Sequence, residues 1–484
     1  MGESGGDPAT WLSGGPNGPN RLAELIPIAL HGMATGITER NGPIPSGGPA
    51  SVAATLATSG ATHHLPKSGL GAHQALTKYA TLLAAGTADP ADPTCAAHLH
   101  CPPLAVSVAA DVVASALNPS MDSWDQAPMA SELEAEFLTG IAHLCYPHAP
   151  TPDAVVTSGG TESNLLGLLL ARETAATTIH PVCGANSHHS VSRAAWLLGL
   201  PAPVVVPCQD DRMIPSALAE ALAPLGASAV VVATAGTTNT GRIDPLEDIA
   251  RICRLSGARL HVDAAYGGML LCSDTLAPRL AGLDLADSVA LDMHKFGWQP
   301  VAAGLFAARN ATDLSALTVR AEYLNADDDT EAGLPDLLGR SIRTSRRPDA
   351  FRMAVTVGAL GTEGLGALVE RCCTTATEVN ELVERHPALE SWGAPELSTV
   401  VFRPRGADDD LVARIRRTLL ESGTAVIGRG SLPSGPDGAP RLWLKLTLLH
   451  PHTTAADYVE LLDQVVATAE AERGVTAPQS PVAS

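Results

Sequence analysis

Aromatic side chains are scarce in this sequence: they make up 3% of 484 positions, with five Phe, five Tyr and six Trp. Its cores must therefore be built mostly from Ala, Leu and Val. Lysine is rarer still, at four positions (Lys67, Lys78, Lys295 and Lys445). Positive charge is in deficit, with 31 Lys and Arg against 51 Asp and Glu, for a net charge of -20. That balance argues against nucleic acid or an anionic membrane as a partner. Apolar stretches are broken by charge or Pro well short of the roughly 18 residues a transmembrane helix needs. The first residues, GESGGDP, carry no basic or apolar signal region, so a cytoplasmic location is expected. Nine cysteines are an odd number and lack paired metal-ligand spacing, which fits reduced core cysteines and no metal site.

What remains is ordinary for a soluble globular protein, 45% hydrophobic and 17% charged, and long enough for several domains. Residues 1–20 are rich in Gly and Pro and are expected to be disordered. The stretch from Pro43 to Pro66 also reads as loose, and 475–484 as a frayed tail. No internal repeat is found. From Asp153 onward, short apolar runs alternate with helical patterns. Ala154–Thr157, Pro203–Pro207, Ala229–Thr234, Arg259–Asp263 and Ser288–Leu291 read as buried strands. Ser163–Glu173, Val191–Leu198 and Pro245–Leu255 read as helices. This alternation predicts an α/β domain with a mostly parallel sheet over 116–350, preceded by an N-terminal arm over 21–115. Past Ala350 the texture changes to a smaller α+β domain over 351–474.

In such a sheet, ligands gather beyond the carboxyl ends of the strands, and four motifs fall there. Thr157–Asn164 (TSGGTESN) is a strand end, a glycine turn and a helix start, suited to a phosphate and equally readable as a capped βα loop. In Ser187–Ser190 (SHHS) a histidine either stacks on a ring or caps the next helix. His261–Gly268 (HVDAAYGG) places Asp263 at the end of a buried strand, where a carboxylate needs a cationic partner. A protonated pyridine nitrogen or a buried Arg would serve. Leu291–Trp298 (LDMHKFGW) sets Lys295 directly after a strand among Met, Phe and Trp. Such surroundings lower a lysine pKa as a Schiff-base amine requires, although a snorkelling lysine would have a similar pattern.

Taken in order, these motifs closely resemble the group II pyridoxal-phosphate (PLP) dependent amino-acid decarboxylases, of the aspartate aminotransferase-like fold type I. The resemblance runs from His98 to Thr454 and includes the family pattern Ser288–Val289 through His294 to Lys295. The bacterial diamino-acid branch, acting on 2,4-diaminobutyrate, lysine or related substrates, is the most similar. The stretches that carry this are AHLHCPP (97–103), NPSMDSWDQAP (118–128), Tyr323–Ala350 and WLKLTLLHPHTT (443–454).

The resemblance implies that 116–350 binds PLP, with Lys295 as its Schiff-base lysine. Gly160 and Thr161 would hold the phosphate, and His188 would stack on the ring. Thr238 would lie near the ring hydroxyl, Asp263 would pair with the ring nitrogen, and Ala265 would pack on the ring. His294 would serve the phosphate side, and by analogy His98 and His100 would line the substrate pocket. An obligate homodimer with interfacial active sites is implied, as is α-decarboxylation to an amine and CO2.

One departure stands out. Where the aromatic-acid branch carries a loop tyrosine that protonates Cα, this chain has Leu337. The proton donor is left to His188 or a residue of a partner subunit, and an oxygen-dependent route to an aldehyde stays open. Transamination is disfavoured by the His294–Lys295 context. A non-catalytic relative would be expected to have lost Lys295, Asp263 or His188, all of which are present. The acidic run Asp327–Asp329 with Glu331 reads as a solvated loop or as an attractor for a substrate ammonium group.

Overall fold

The structure is a computed structural model that describes residues 11–61, 65–321, 323–433 and 438–475. Of the disorder expected at 1–20 and 475–484, residues 1–10 and 476–484 lie outside the described residues, whereas Gly18–Asn20 begin a helix and Val475 ends one. The chain forms two compact units. One holds the residues up to His98, Glu378–Ala394, and those from Val400 onward; the other holds Leu99–Thr377 and Pro395–Thr399.

The first unit opens with helices α1 (Gly18–Arg40), α2 (Gly48–Thr58) and α3 (Ala72–Gly86). α1 and α3 approach closely because α1 presents glycine at the contact. A Cβ on Gly36 would sit 2.3 Å from the Thr81 carbonyl oxygen and 2.8 Å from Ala84 Cβ. α2 corrects the expectation of a loose segment from Pro43 to Pro66. Its Gly and Pro residues stand at the start, where Pro is favoured in the first turn, and the Ala-rich run that follows completes a helix of 11 residues.

The second unit carries α4 (Ala105–Leu117) and α5 (Pro128–Cys145), then strand β1 (Asp153–Thr157), α6 (Gly160–Thr174), β2 (His180–Gly184), α7 (Ser190–Leu197) and β3 (Val204–Val206). A small hairpin of β4 (Cys208–Gln209) and β5 (Arg212–Met213) leads to α8 (Pro215–Leu222), β6 (Ala229–Thr234), α9 (Leu246–Ser256), β7 (Arg259–Asp263), β8 (Ser288–Asp292) and β9 (Gly304–Ala308). Seven of these strands form one sheet in the order β1-β9-β8-β7-β6-β2-β3. β9 runs antiparallel to both β1 and β8, whereas the β2–β3, β2–β6, β6–β7 and β7–β8 pairs are parallel. The sheet is thus mostly parallel, as expected.

β6 reads AVVVAT and is buried at every position, as a central parallel strand must be. α9 shows why the flanking segments coil. Leu246, Ile249, Ala250 and Cys253 bury one stripe, acids occupy the first turn and Arg254 the last, and Gly257 closes it with φ 77°. Beyond the sheet come α10 (Asp327–Glu331) and the long α11 (Asp349–Arg385), interrupted at Gly361 where φ is 65°. The acidic run therefore forms a short helix with exposed side chains rather than a loop.

The remainder of the first unit is a four-stranded sheet, β10 (Leu389–Ser391), β11 (Thr399–Pro404), β12 (Gly428–Pro433) and β13 (Pro440–Thr447), in the order β10-β11-β13-β12. It comes with α12 (Asp409–Glu421) and α13 (Val459–Val475). All nine cysteines are free, six of them buried. No helix among the described residues is long and apolar enough to cross a membrane.

Candidate active site

The carboxyl ends of β1, β7 and β8, with the loop after β2, bring the motif residues together. β1 ends at Thr157 and the chain turns through Ser158, Gly159 and Gly160 into α6. The turn needs glycine twice. Gly159 has φ 151°, and a Cβ there would lie 3.0 Å from His294 Cε1; at Gly160 it would lie 2.8 Å from Ala265 Cβ. Thr157 Oγ1 and Ser163 Oγ, 2.8 Å apart, hold the turn from below, and Ser163 donates to the Leu305 carbonyl at 3.0 Å. No side chain caps this helix start, and uncapped first-turn backbone N–H groups are the arrangement suited to a phosphate.

β7 delivers Asp263, which is 7% exposed. Its two oxygens accept from Asn164 Nδ2 at 2.7 Å and from the Ala265 backbone N–H at 3.1 Å. Both donors are neutral, so the protein supplies hydrogen bonds to this carboxylate without cancelling its charge. His188 follows β2 and its ring lies against His189, centroids 4.0 Å apart. Burial lowers the His188 pKa; the negative charge of Asp263 opposes this, and His189 and Lys295 add to it. On the same strand as Asp263, His261 is fully buried and its pKa falls to about 4, so it is neutral at physiological pH.

β8 ends at Asp292, after which Met293 and His294 lead into Lys295. Met293, Phe296 and Trp298 are buried, as the apolar context predicted. The Lys295 amine, however, also faces a carboxylate: Nζ lies 2.9 Å from Asp292 Oδ2, and His294 Nε2 lies 3.5 Å from the same oxygen. Asp292 Oδ1 is buried without a hydrogen-bond partner and lies 3.6 Å from the Cβ position of Gly159. The wall of the glycine turn thus holds an unused acceptor.

Of the residues singled out from the sequence, Gly160, Ala265, His294 and Lys295 meet around this turn, and His188 and Asp263 interact electrostatically beside them. Thr161 is exposed on the first turn of α6, and Thr238 is exposed in the turn that follows β6, the strand whose Thr234 pairs with Asp263. His100 lies near His294, and its pKa is lowered by burial and by that neighbour. His98 is an exposed residue of the first unit. Leu337 is buried and carries no acid. Sequence reasoning assigned no role to Asn164, Ser190, His261, Ser288 or Asp292. Each nevertheless lies inside a stretch it quoted.

A glycine turn at a helix start, a buried carboxylate with neutral donors, a histidine after β2 and a lysine after β8, gathered at the strand ends of a mostly parallel sheet, fit a PLP enzyme of fold type I. Residues 58–405 match the pyridoxal-dependent decarboxylase conserved domain. The chain is 37% identical over 394 residues to an L-2,4-diaminobutyrate decarboxylase of Rhizobium meliloti, covering 78% of each chain. It is 32% identical over 438 residues to the Acinetobacter baumannii enzyme of the same name, covering 84% of this chain and 85% of that one. Among solved structures, it resembles the glutamate decarboxylase domain of a diaminobutyrate-pyruvate transaminase and L-2,4-diaminobutyrate decarboxylase from Vibrio parahaemolyticus. That match has a TM-score of 0.82 and 28% identity, over 96% of this chain and 98% of that one. The chain belongs to the pyridoxal-dependent decarboxylase family and is a PLP-dependent amino-acid decarboxylase. The residues present fit that cofactor, since the glycine turn opens directly into the uncapped start of α6 and the buried Asp263 is hydrogen-bonded to two neutral donors, as a partner for a protonated ring nitrogen would be.

Proposed function

We propose that this protein removes the α-carboxyl group of a basic diamino acid, L-2,4-diaminobutyrate first among them, releasing CO2 and the corresponding diamine. The observation that carries the chemistry is Asp263, buried with two neutral donors, which together with Lys295 acts electrostatically on His188. The substrate class rests on the two diaminobutyrate decarboxylases to which most of the chain is similar.

PLP, when bound, supplies the electron sink that makes loss of the α-carboxyl group feasible. In this reading Gly160 and Thr161, at the start of α6, hold its phosphate, with His294 beside them. Asp263 would keep the ring nitrogen protonated, His188 would stack on the ring, and Ala265 would pack against it. Thr238 would serve the ring hydroxyl. Lys295 would provide the amine that anchors the cofactor. His98 and His100 line the substrate pocket. The functional assembly is a cytoplasmic homodimer with active sites at the subunit interface, built around a PLP-binding domain over 116–350.

The experiment is incubation of the PLP-loaded protein with L-2,4-diaminobutyrate, ornithine, lysine, glutamate and aspartate, following amine, aldehyde and CO2 by mass spectrometry. The expected result is CO2 and diamine in equal amounts from L-2,4-diaminobutyrate, with slower or no release from the acidic amino acids. Aldehyde with oxygen uptake, or preference for an acidic amino acid, would overturn the proposal.

A further inference from the structure

One side-chain amide connects the two groups that face the cofactor ring in the reading above. Asn164, on α6 and 1% exposed, has both amide hydrogens committed. Its Nδ2 lies 2.7 Å from Asp263 Oδ2 and 2.8 Å from Ser190 Oγ. Its Oδ1 is therefore the atom that meets His261 Nε2, at 2.9 Å, and the imidazole must donate there. A neutral His261 has no second hydrogen, so its Nδ1 accepts from the Ser288 hydroxyl at 2.9 Å. Ser190 Oγ already accepts from Asn164 and is left to give its own hydrogen to His188 Nδ1, 2.8 Å away. The Ser190 backbone N–H points at the same nitrogen from 3.3 Å. The neutral His188 ring then carries its hydrogen on Nε2, the nitrogen not engaged by Ser190.

We propose that Asn164 is a positioning residue that sets both Asp263 and the His188 tautomer through the two hydrogens of one amide, with His261 and Ser288 keeping that amide from turning over. An amide alone has little to distinguish its two ends. Here a half-turn would bring Oδ1 against the Asp263 carboxylate and Nδ2 against the His261 N–H, two repulsive contacts in place of two hydrogen bonds. His261 is itself held in place. Its ring stacks on Phe306 with centroids 6.0 Å apart, and a Cβ on Gly167 would reach 2.7 Å from its Nδ1. The charged or titratable groups acting on His188 are Asp263, His189, Lys295 and Asp292; on His261 it is Asp263. The inference rests on the reading that Asp263 faces the cofactor's ring nitrogen.

The test uses the PLP-loaded protein and reads cofactor affinity, the pH dependence of the bound cofactor's visible absorbance, and the pH profile of kcat. Asn164→Ala should weaken cofactor binding about 10- to 100-fold, the range for losing a hydrogen bond to a buried charge, and should shift the absorbance titration. Ser288→Ala touches neither Asp263 nor His188, yet it should displace the pH profile of kcat while KM holds. His261→Gln, whose amide restores a donor to Asn164 Oδ1, should retain affinity where His261→Leu loses it. Asp263→Asn is the control on the underlying reading: if affinity and absorbance survive it, the ring-nitrogen assignment fails, whatever the network does. If Asp263→Asn has its effect while Asn164→Ala and Ser288→Ala leave the absorbance titration and the kcat profile unchanged, the positioning role is overturned. Should Asn164→Ala fail to fold, Ser288→Ala and the His261 pair decide on the same readouts.

Discussion

Gly304 opens β9, opposite Thr157 on β1 and Asp292 on β8, and it supports the glycine turn from behind. A Cβ at this position would lie 2.4 Å from both Cα and N of Gly159 and 2.5 Å from Thr157 Oγ1. Carbon atoms prefer separations of about 3.5 Å or more, so Gly304→Ala demands a shift of about 1 Å. β9 cannot give way easily, since it is hydrogen-bonded on both edges. Thr157 is tied to Ser163, so the displacement falls on Gly159 and the glycine turn proposed to hold the phosphate. Overpacking of this kind costs about 1–3 kcal/mol of stability. A misplacement of about 1 Å at a binding turn is enough to lower affinity or turnover about a hundredfold. Urea unfolding of the cofactor-free protein measures the first quantity, and equilibrium dialysis with PLP measures the second. Gly140→Ala is the control, because its Cβ would meet nothing within 4 Å on the exposed side of α5. A Gly304→Ala protein whose PLP affinity and unfolding midpoint match those of the Gly140→Ala control would refute the account of the turn.

Three further outcomes are expected. Burial lowers the His261 pKa from 6.5 to about 4, so the unfolded chain binds the extra proton first. Stability contributed by the neutral ring is therefore full above about pH 6.5 and declines as pH falls towards 4, by an amount on the order of 3 kcal/mol; unfolding midpoints across that range should flatten in His261→Gln, and an unchanged slope would count against the buried neutral ring. Arg346 forms a two-pronged pair with Glu134 at 2.8 and 2.6 Å, with both side chains at most 5% exposed; Arg346→Ala leaves that carboxylate buried and unpaired and should cost about 3–5 kcal/mol by urea unfolding. Lys295→Ala should lower the rate of CO2 release, followed by mass spectrometry, at least about a thousandfold.

The strands that sequence reasoning recovered most directly were those with an uninterrupted apolar or β-branched signal, such as Ala154–Thr157 and Ala229–Thr234. β9 escaped it because GLFAA is short, begins with glycine and contains no β-branched residue, yet its five positions are all buried at the heart of the sheet. α2 escaped for the opposite reason. Gly and Pro flank it densely enough to suggest a loop, and only their placement at the helix start, outside its interior, separates the two readings. Both cases show punctuation residues whose meaning depends on a register that a single sequence does not print.

The site was legible where chemistry demands an unusual residue in an unusual place. Lysine is so rare here that one placed after a strand invites a functional reading, and an Asp ending a buried strand demands a partner. The supporting residues carry no such mark. Asn164, Ser190 and Ser288 are common small polar residues, and His261 two positions before Asp263 reads as one more member of an alternating strand. Their importance arises from hydrogen-bond arithmetic that only three-dimensional neighbours complete: two hydrogens on one amide, one on a neutral imidazole and one on each hydroxyl. Once Asn164 spends both hydrogens on Asp263 and Ser190, every other hydrogen in the chain from Ser288 to His188 has a single place to go. In the proposed reading, with Leu337 supplying no acid, His188 would hand the proton to Cα from its Nε2, the nitrogen turned away from Ser190. The same Ser288→Ala variant that perturbs the tautomer should therefore slow the proton-transfer step and enlarge the solvent deuterium isotope effect on kcat. An isotope effect identical to that of the parent would assign the Cα proton to a donor other than His188.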